Sequence, residues 1–275
     1  MSLRHRAPGW THDLPNTETP VTQGEIRPDI DPPPNTINEV YLELPRSSIR
    51  IRGAWLLTGP TLIAWYLLYA IEIIYSNVFT QPSINLEIIL TSIFIPAITV
   101  ILLTPHIRTE LGFPRDEPIR FNRPRRKVYF YQYRFSFLFP FSRSRWGLKP
   151  VAYDWDDITA EAYRVFRPGH GGLKEWVMLS VCLPGTKQVI DRLFLADDLE
   201  EGAQYWAIAR LYMQEGPAAL PTFAYPPEDW NEFPYPITLE NMKHRNPIDR
   251  LAPKVEWPAE MDLESRSVPS GFEQL

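Results

Sequence analysis

The sequence predicts a membrane α+β protein: a transmembrane helical hairpin, then a small antiparallel β-barrel or bent sheet closed by one helix, flanked by two proline-rich arms. Three observations predict it. Two long apolar runs stand close together in the first half of the chain. After them the hydrophobic period switches to two. Of the 29 prolines, eight fall in residues 1–45 and ten in 217–275.

The first arm, residues 1–45, is polar and carries no apolar stretch of the kind a secretory signal needs. Proline fixes φ and removes a donor, so both arms should be extended, and partly disordered or draped over the centre. The aromatic residues of "FAYPPEDWNEFPYP", Phe223 to Pro236, favour draping. Cys182 is the only cysteine, which excludes an internal disulfide and a cysteine-built zinc site.

The hairpin is assigned to residues 46–107. Gly53 to Tyr75 contains one charged residue, Glu72, and Ile88 to Leu103 contains none. A helix needs about 20 mostly apolar residues to cross the hydrocarbon core, so spans are expected over about 53–75 and 84–104, with kinks at Pro60 and Pro96. Neither run has the polar face of a helix packed in a soluble core. Glu72 and Glu87 fall near the outer ends, within reach of headgroups. Arg46, Arg50 and Arg52 precede the first run and His106, Arg108, Arg115 and Arg120 follow the second, while Ser76 to Glu87 holds no lysine or arginine. The positive-inside rule then places both termini in the cytoplasm of a bacterial inner membrane.

Residues 108–216 read as a folded domain. Ile119 to Arg123 and Val128 to Phe135 form a hairpin about Pro124-Arg125-Arg126, with Tyr129, Tyr131, Tyr133 and Phe135 on one face. Ile158 to Phe166, Trp176 to Leu183 and Gln188 to Phe194 continue a meander through "RPGHGG" and "PGTK". A helix follows, capped by Asp197 or Asp198, with Glu200 and Glu201 in its first turn, an apolar stripe of Leu199, Ala203, Trp206 and Met213, and a stop at Gly216-Pro217.

Charge is segregated: Pro118 to Pro150 carries nine bases and no acid, whereas Asp197 to Leu275 carries 15 acids and six bases, in a chain of net charge −5. Held beside the cytoplasmic leaflet, Arg120, Arg123, Arg125, Arg126, Lys127 and Arg134 are expected to bind anionic lipid headgroups or a partner. Two other readings stand beside this one: the charge fixes topology, or it pairs with the acidic arm of residues 217–275. A membrane-tethered domain with a pI near 5.6 lacks the basic footprint of a nucleic-acid binder. "FSFLFPF", Phe135 to Phe141, is expected to be core strand, with an interfacial aromatic anchor as the alternative.

No phosphate-binding loop, dinucleotide fingerprint, nucleophile elbow or zinc-protease motif occurs, and the five histidines lack ligand spacing. No cofactor or metal is expected. "DWDD" supplies Asp154, Asp156 and Asp157, the carboxylates an enzyme would use, but turn chemistry with Trp155 packed inward suits them better. Cys182 is expected to be buried and inert. His170 reads as a loop-tip residue.

The order of "IRFNRPRRKVYFY", "YDWDDITAE", two hairpin strands and a capped amphipathic helix is similar to bacterial pleckstrin-homology-like domains attached to two-span membrane hairpins. More narrowly, "RFNRPRRKVYFY" resembles a stretch of Gram-negative inner-membrane proteins encoded near type VI secretion toxins. The resemblance covers Arg52 to Gly216. It implies a non-enzymatic inner-membrane binding protein, an immunity or accessory protein facing a membrane-targeting toxin. A membrane-associated enzyme and a subunit of a small homo-oligomeric channel are the competing classes.

Overall fold

The computed structural model describes residues 6–22, 24–46, 52–80, 86–167, 172–227, 231, 248 and 251–269. Arg50 and the His170 loop tip lie outside them. Helices α1 (Ala54–Tyr75) and α2 (Leu86–Gly112) form the hairpin, and a π-helical turn at Ser76–Thr80 extends the first. Both are long and apolar enough to cross a membrane, at 27 residues each with that turn included. At about 1.5 Å per residue such a helix exceeds the roughly 30 Å hydrocarbon core.

Their apolar side chains point outward: Leu57, Leu68 and Phe79 from the first segment, and Ile93, Phe94 and Leu102 from the second, are exposed. The faces turned inward carry small groups, with Gly59, Ala70, Ser92 and Pro96 buried. A Cβ on Gly59 would come within 2.8 Å of the Ile107 side chain. Small residues let two helix backbones approach where there is no hydrophobic drive between them. The second helix does not stop near residue 104 as the sequence predicts. It continues through Pro105 to Gly112, because its last turns are held by the domain described next.

That domain is two open antiparallel sheets. One has the order β1–β9–β10–β11, built from Trp10–Asp13, Ile158–Arg167, Gly172–Cys182 and Val189–Ala196. The other has the order β2–β3–β4–β5–β8, from Thr36–Ile37, Tyr41–Leu44, Ile119–Asn122, Lys127–Phe130 and Val151–Asp154. A two-stranded ribbon pairs β6 (Tyr133–Arg134) with β7 (Gly147–Leu148). Among the described residues no strand pairing closes a barrel, and in place of the one barrel or bent sheet expected the antiparallel strands form two open sheets.

Helix α3 (Leu199–Glu215) packs between the sheets. Asp198 caps it by accepting from the Glu200 and Glu201 amides, and Gly216, at φ 94°, ends it. Val128 and Phe130 from one sheet, Leu179 and Leu193 from the other, and Trp206 and Ile208 from the helix share one core. Trp155 packs against Trp206 with ring centroids 5.0 Å apart and the planes tilted by 40°.

The first arm is part of this domain, supplying β1, β2 and β3. It crosses the outer face of α3, where Trp206 Nε1 donates to the Pro15 carbonyl, Gln214 to Thr17 and Tyr205 Oη to Pro32. The predicted single apolar stripe is therefore buried nearly all round. The predicted strand Val128 to Phe135 breaks after Phe130, since its later backbone groups are diverted: the Tyr131 carbonyl accepts from Arg46 and the Tyr133 amide donates to the Glu117 carboxylate.

Candidate functional site at the base of the helical hairpin

Where the hairpin meets the domain, two oppositely charged side chains exchange caps. The first amides of α1 have no intrahelical acceptor, and the buried Glu110 carboxylate of α2 accepts from Trp55 N at 3.1 Å and Leu56 N at 2.8 Å. In return the buried Arg52, just ahead of α1, donates to the carbonyls of Glu110, Phe113 and Pro114 that end α2. Each charge sits at the helix end whose dipole favours it. The joint continues into Arg46, which donates from Nε to the Glu117 carbonyl, from one terminal nitrogen to Phe194 of β11 and from the other to Tyr131 beyond β5. One guanidinium thus ties both sheets to the connection leaving α2. Tyr133 closes over Gly112, where a Cβ would meet its hydroxyl at 2.4 Å.

Arg46 and Arg52, counted among the basic flanks that set the orientation, are both buried in this joint. So is Arg120, with only 3% of its side chain exposed. It is held by Glu43, by Asp262 at 2.6 Å and by Ser265 Oγ at 2.9 Å, and stands over the Trp257 ring at 4.4 Å. The acids come from β3 and from a short helix, α4 (Ala259–Arg266), in the second arm. Asn122 donates to the Ser265 and Ser267 carbonyls, Arg125 to Ser267, and Lys127 Nζ to Glu264 at 3.0 Å. Lys127 in turn holds the Glu264 carboxyl below its ordinary 4.5.

The remaining candidates diverge. Arg126, the one positive-φ non-glycine among the described residues, pairs at the surface with Asp156. Arg123 packs against Gly216 at the end of α3, a helix terminus that favours a cation. Arg134 lies 3.6 Å from Asp191. The six bases therefore do not share one open face: Arg123, Arg126 and Arg134 turn to other parts of the domain, while Arg120, Arg125 and Lys127 meet the chain's own C-terminal arm. This is why both faces of β5 are buried although its residues alternate.

A cavity of about 380 Å³ separates that arm from β3 and β4, lined by Asn35, Tyr41, Glu43, Asp116, Arg120 and Trp257 among others. Burial pushes Asp116 from 3.8 up to about 7, against the lowering effect of the Arg46 amide and Asn35. Asp154, Asp156 and Asp157 sit on a turn that buries Trp155, with Asp154 and Asp156 exposed. Among the described residues no group of three or more His, Cys, Asp or Glu side chains is placed to hold a metal ion. Cys182, expected to be buried, is half-exposed at the frayed end of β10, where the register with β11 slips.

A family model described as a family of unknown function, DUF6708, matches residues 95–269, well over half of the chain. The chain belongs to this family. The DUF6708 match runs from the middle of α2 through the basic hairpin, the strands β4 to β11 and α3 to α4, and leaves α1 and the first-arm strands β1, β2 and β3 outside it. No curated protein and no solved structure matches the chain. Inside the DUF6708 region lie the residues that sequence reasoning passed over, Glu110, Asp116 and Glu117. A carboxylate seven residues beyond the apolar run Ile88 to Leu103 was a signal for the first of them. The other two act mainly through contacts distant in sequence, with Arg46, Asn35 and Tyr133.

Proposed function

We propose that this is an integral inner-membrane protein with two spans and cytoplasmic termini, acting as a non-enzymatic binding protein through a pleckstrin-homology-like domain. One observation carries the reading: a hairpin with its apolar side chains turned outward is locked to a two-sheet domain by buried, mutually capping charges. So much exposed apolar surface marks contact with a membrane or a partner. The lock means that the domain does not swing on a linker but presents a fixed orientation to the leaflet. Arg108, Arg115, Arg143 and Arg145 lie on the domain side and residues 76–87 carry no base, which favours cytoplasmic placement of the domain.

Two sheets sealed by a helix form a scaffold of the kind pleckstrin-homology-like modules use for recognition. The resemblance of "RFNRPRRKVYFY" supplies the partner class, a membrane-targeting toxin of type VI secretion, against which the chain serves as an immunity or accessory protein. Anionic lipid is the second partner. The exposed or half-exposed bases Arg123, Arg125, Arg126, Lys127 and Arg134 can reach headgroups at their rims, whereas Arg120 lies beneath α4.

In a Cys182→Ser background, a cysteine replacing Thr186 should react with an impermeant maleimide only in inverted vesicles, and one replacing Thr80 only in right-side-out vesicles. The reverse pattern contradicts the orientation. Protection of a toxin-producing host should survive joint replacement of Asp154, Asp156 and Asp157 by asparagine. Loss of protection with the fold intact would make the chain an enzyme.

A further inference from the structure

The segment Phe135 to Phe141, expected to be core strand, is an exposed loop between β6 and β7, with Leu138 87% and Phe141 65% accessible. Phe135, Phe137 and Phe139 are exposed as well. The loop is nevertheless well fastened. Arg108 of α2 donates to the carbonyls of Pro140 at 2.7 Å and Ser142 at 2.9 Å, and its guanidinium lies over the Trp146 ring at 4.6 Å. Trp146 is buried and donates to the Phe139 carbonyl. His106 stacks on Trp55 of α1 at 4.5 Å on one side and meets Phe137 at 5.2 Å on the other. Both helices therefore end against the base of this loop.

Its charge completes the picture. Arg143, Arg145 and Lys149 are exposed, and no acid occurs between Pro118 and Pro150. Arg145 stands over Phe139 at 3.8 Å and Lys149 donates to the Ser144 carbonyl, so neither is neutralised by these contacts. Rigidly held aromatic side chains beside unneutralised bases form the composition of an interfacial anchor: rings enter the boundary between headgroups and chains while cations meet anionic headgroups.

We propose that residues 135–149 form a membrane-inserting loop that seats Phe137, Leu138, Phe139 and Phe141 in the anionic leaflet into which the domain end of the hairpin opens. The proposal rests on the reading that α1 and α2 cross that bilayer, and continuity with the helix ends places the loop at the depth of the interface. The loop acts as a third membrane contact and sets the tilt of the domain against the leaflet.

The test uses the full chain with Cys182→Ser, in nanodiscs of phosphatidylethanolamine and phosphatidylglycerol. A polarity-sensitive fluorophore is attached at Leu138→Cys, at Leu68→Cys in α1 or at Thr186→Cys in the β10–β11 turn. The expected result is blue-shifted emission, quenched by brominated lipid, at positions 138 and 68, and water-like emission at 186. Joint replacement of Arg143, Arg145 and Lys149 by serine should weaken quenching at 138 and leave 68 unchanged. Water-like emission at 138 with 68 still quenched overturns the proposal, leaves the spans standing and points to a protein as the occupant of this face. Water-like emission at both positions overturns the spanning reading itself. Equal quenching at 138 in pure phosphatidylcholine discs overturns the requirement for anionic lipid.

Discussion

The basic hairpin of β4 and β5 and the loop from Phe135 to Lys149 are neighbours in a segment without a single acid, and the fold treats them in opposite ways. In the hairpin, Arg120, Arg125 and Lys127 are met by Glu43 and by the backbone and side chains of α4. In the loop, Arg143 and Arg145 face outward beside exposed phenylalanines. Local charge density thus does not identify a binding surface. What decides is whether another part of the chain brings an acid to it, and among the described residues the second arm brings Asp262 and Glu264 to the hairpin.

This comparison can be broken at its strongest point by Arg120→Ala. Removing one member of a buried, hydrogen-bonded charge cluster leaves Glu43 uncompensated and should cost about 3–5 kcal/mol. Thermal unfolding in detergent would show the loss, and limited proteolysis should cut earlier near α4. An unchanged melting temperature would mean that the hairpin is open to solvent after all.

Next in size is a pH dependence centred on Asp116, in the same cavity as Arg120. Its carboxyl is raised from 3.8 in the unfolded chain to about 7 in the fold by burial. A group raised in this way contributes stability in full below its unfolded value and loses it as pH rises through the folded one. Asp116→Asn should therefore flatten the fall in stability between about pH 4 and 7. Glu264 runs the other way. Its folded value is depressed by Lys127, so its contribution is present above 4.5 and fades as pH falls further. Amide exchange in α4 measured across an acid series should speed up in step.

Surface pairs give the smaller effects. Lys127→Ala and Arg126→Ala each remove a pair in which both partners are more than a third exposed, and should cost at most about 1 kcal/mol. Smallest of all, replacing Arg143 and Arg145 by serine should move unfolding by no more than about 0.5 kcal/mol while altering contact with anionic membranes. A large loss of stability there would show that the loop is structural.

Local signals carried much of this. The apolar runs, the meander strands after Ile158 and the Asp198 cap of α3 were legible because each depends on neighbours within one turn or one strand. The strands of the first arm were not: Thr36–Ile37 and Tyr41–Leu44 are too short to show a period, and the second exists by pairing with Ile119–Asn122 and the first by pairing with the second. Alternation at Tyr129 and Tyr131 revealed two faces but not what would cover them, so burial under Trp257 and α4 could not be read. The same limit made "FSFLFPF" look like core. Arg46 and Arg52 entered the sequence reading only as flanking charges that set orientation; their capping and tying contacts depend on Glu110 and Glu117, far from them in sequence.

The central claim is that residues 54–80 and 86–112 lie in a bilayer and hold the domain against it. Flotation of the full chain with phosphatidylglycerol-containing liposomes after an alkaline wash tests this most directly. The account predicts that the protein rises with lipid and needs detergent to be released. A chain left at the bottom of the gradient, dissolved and monomeric without detergent, would contradict it.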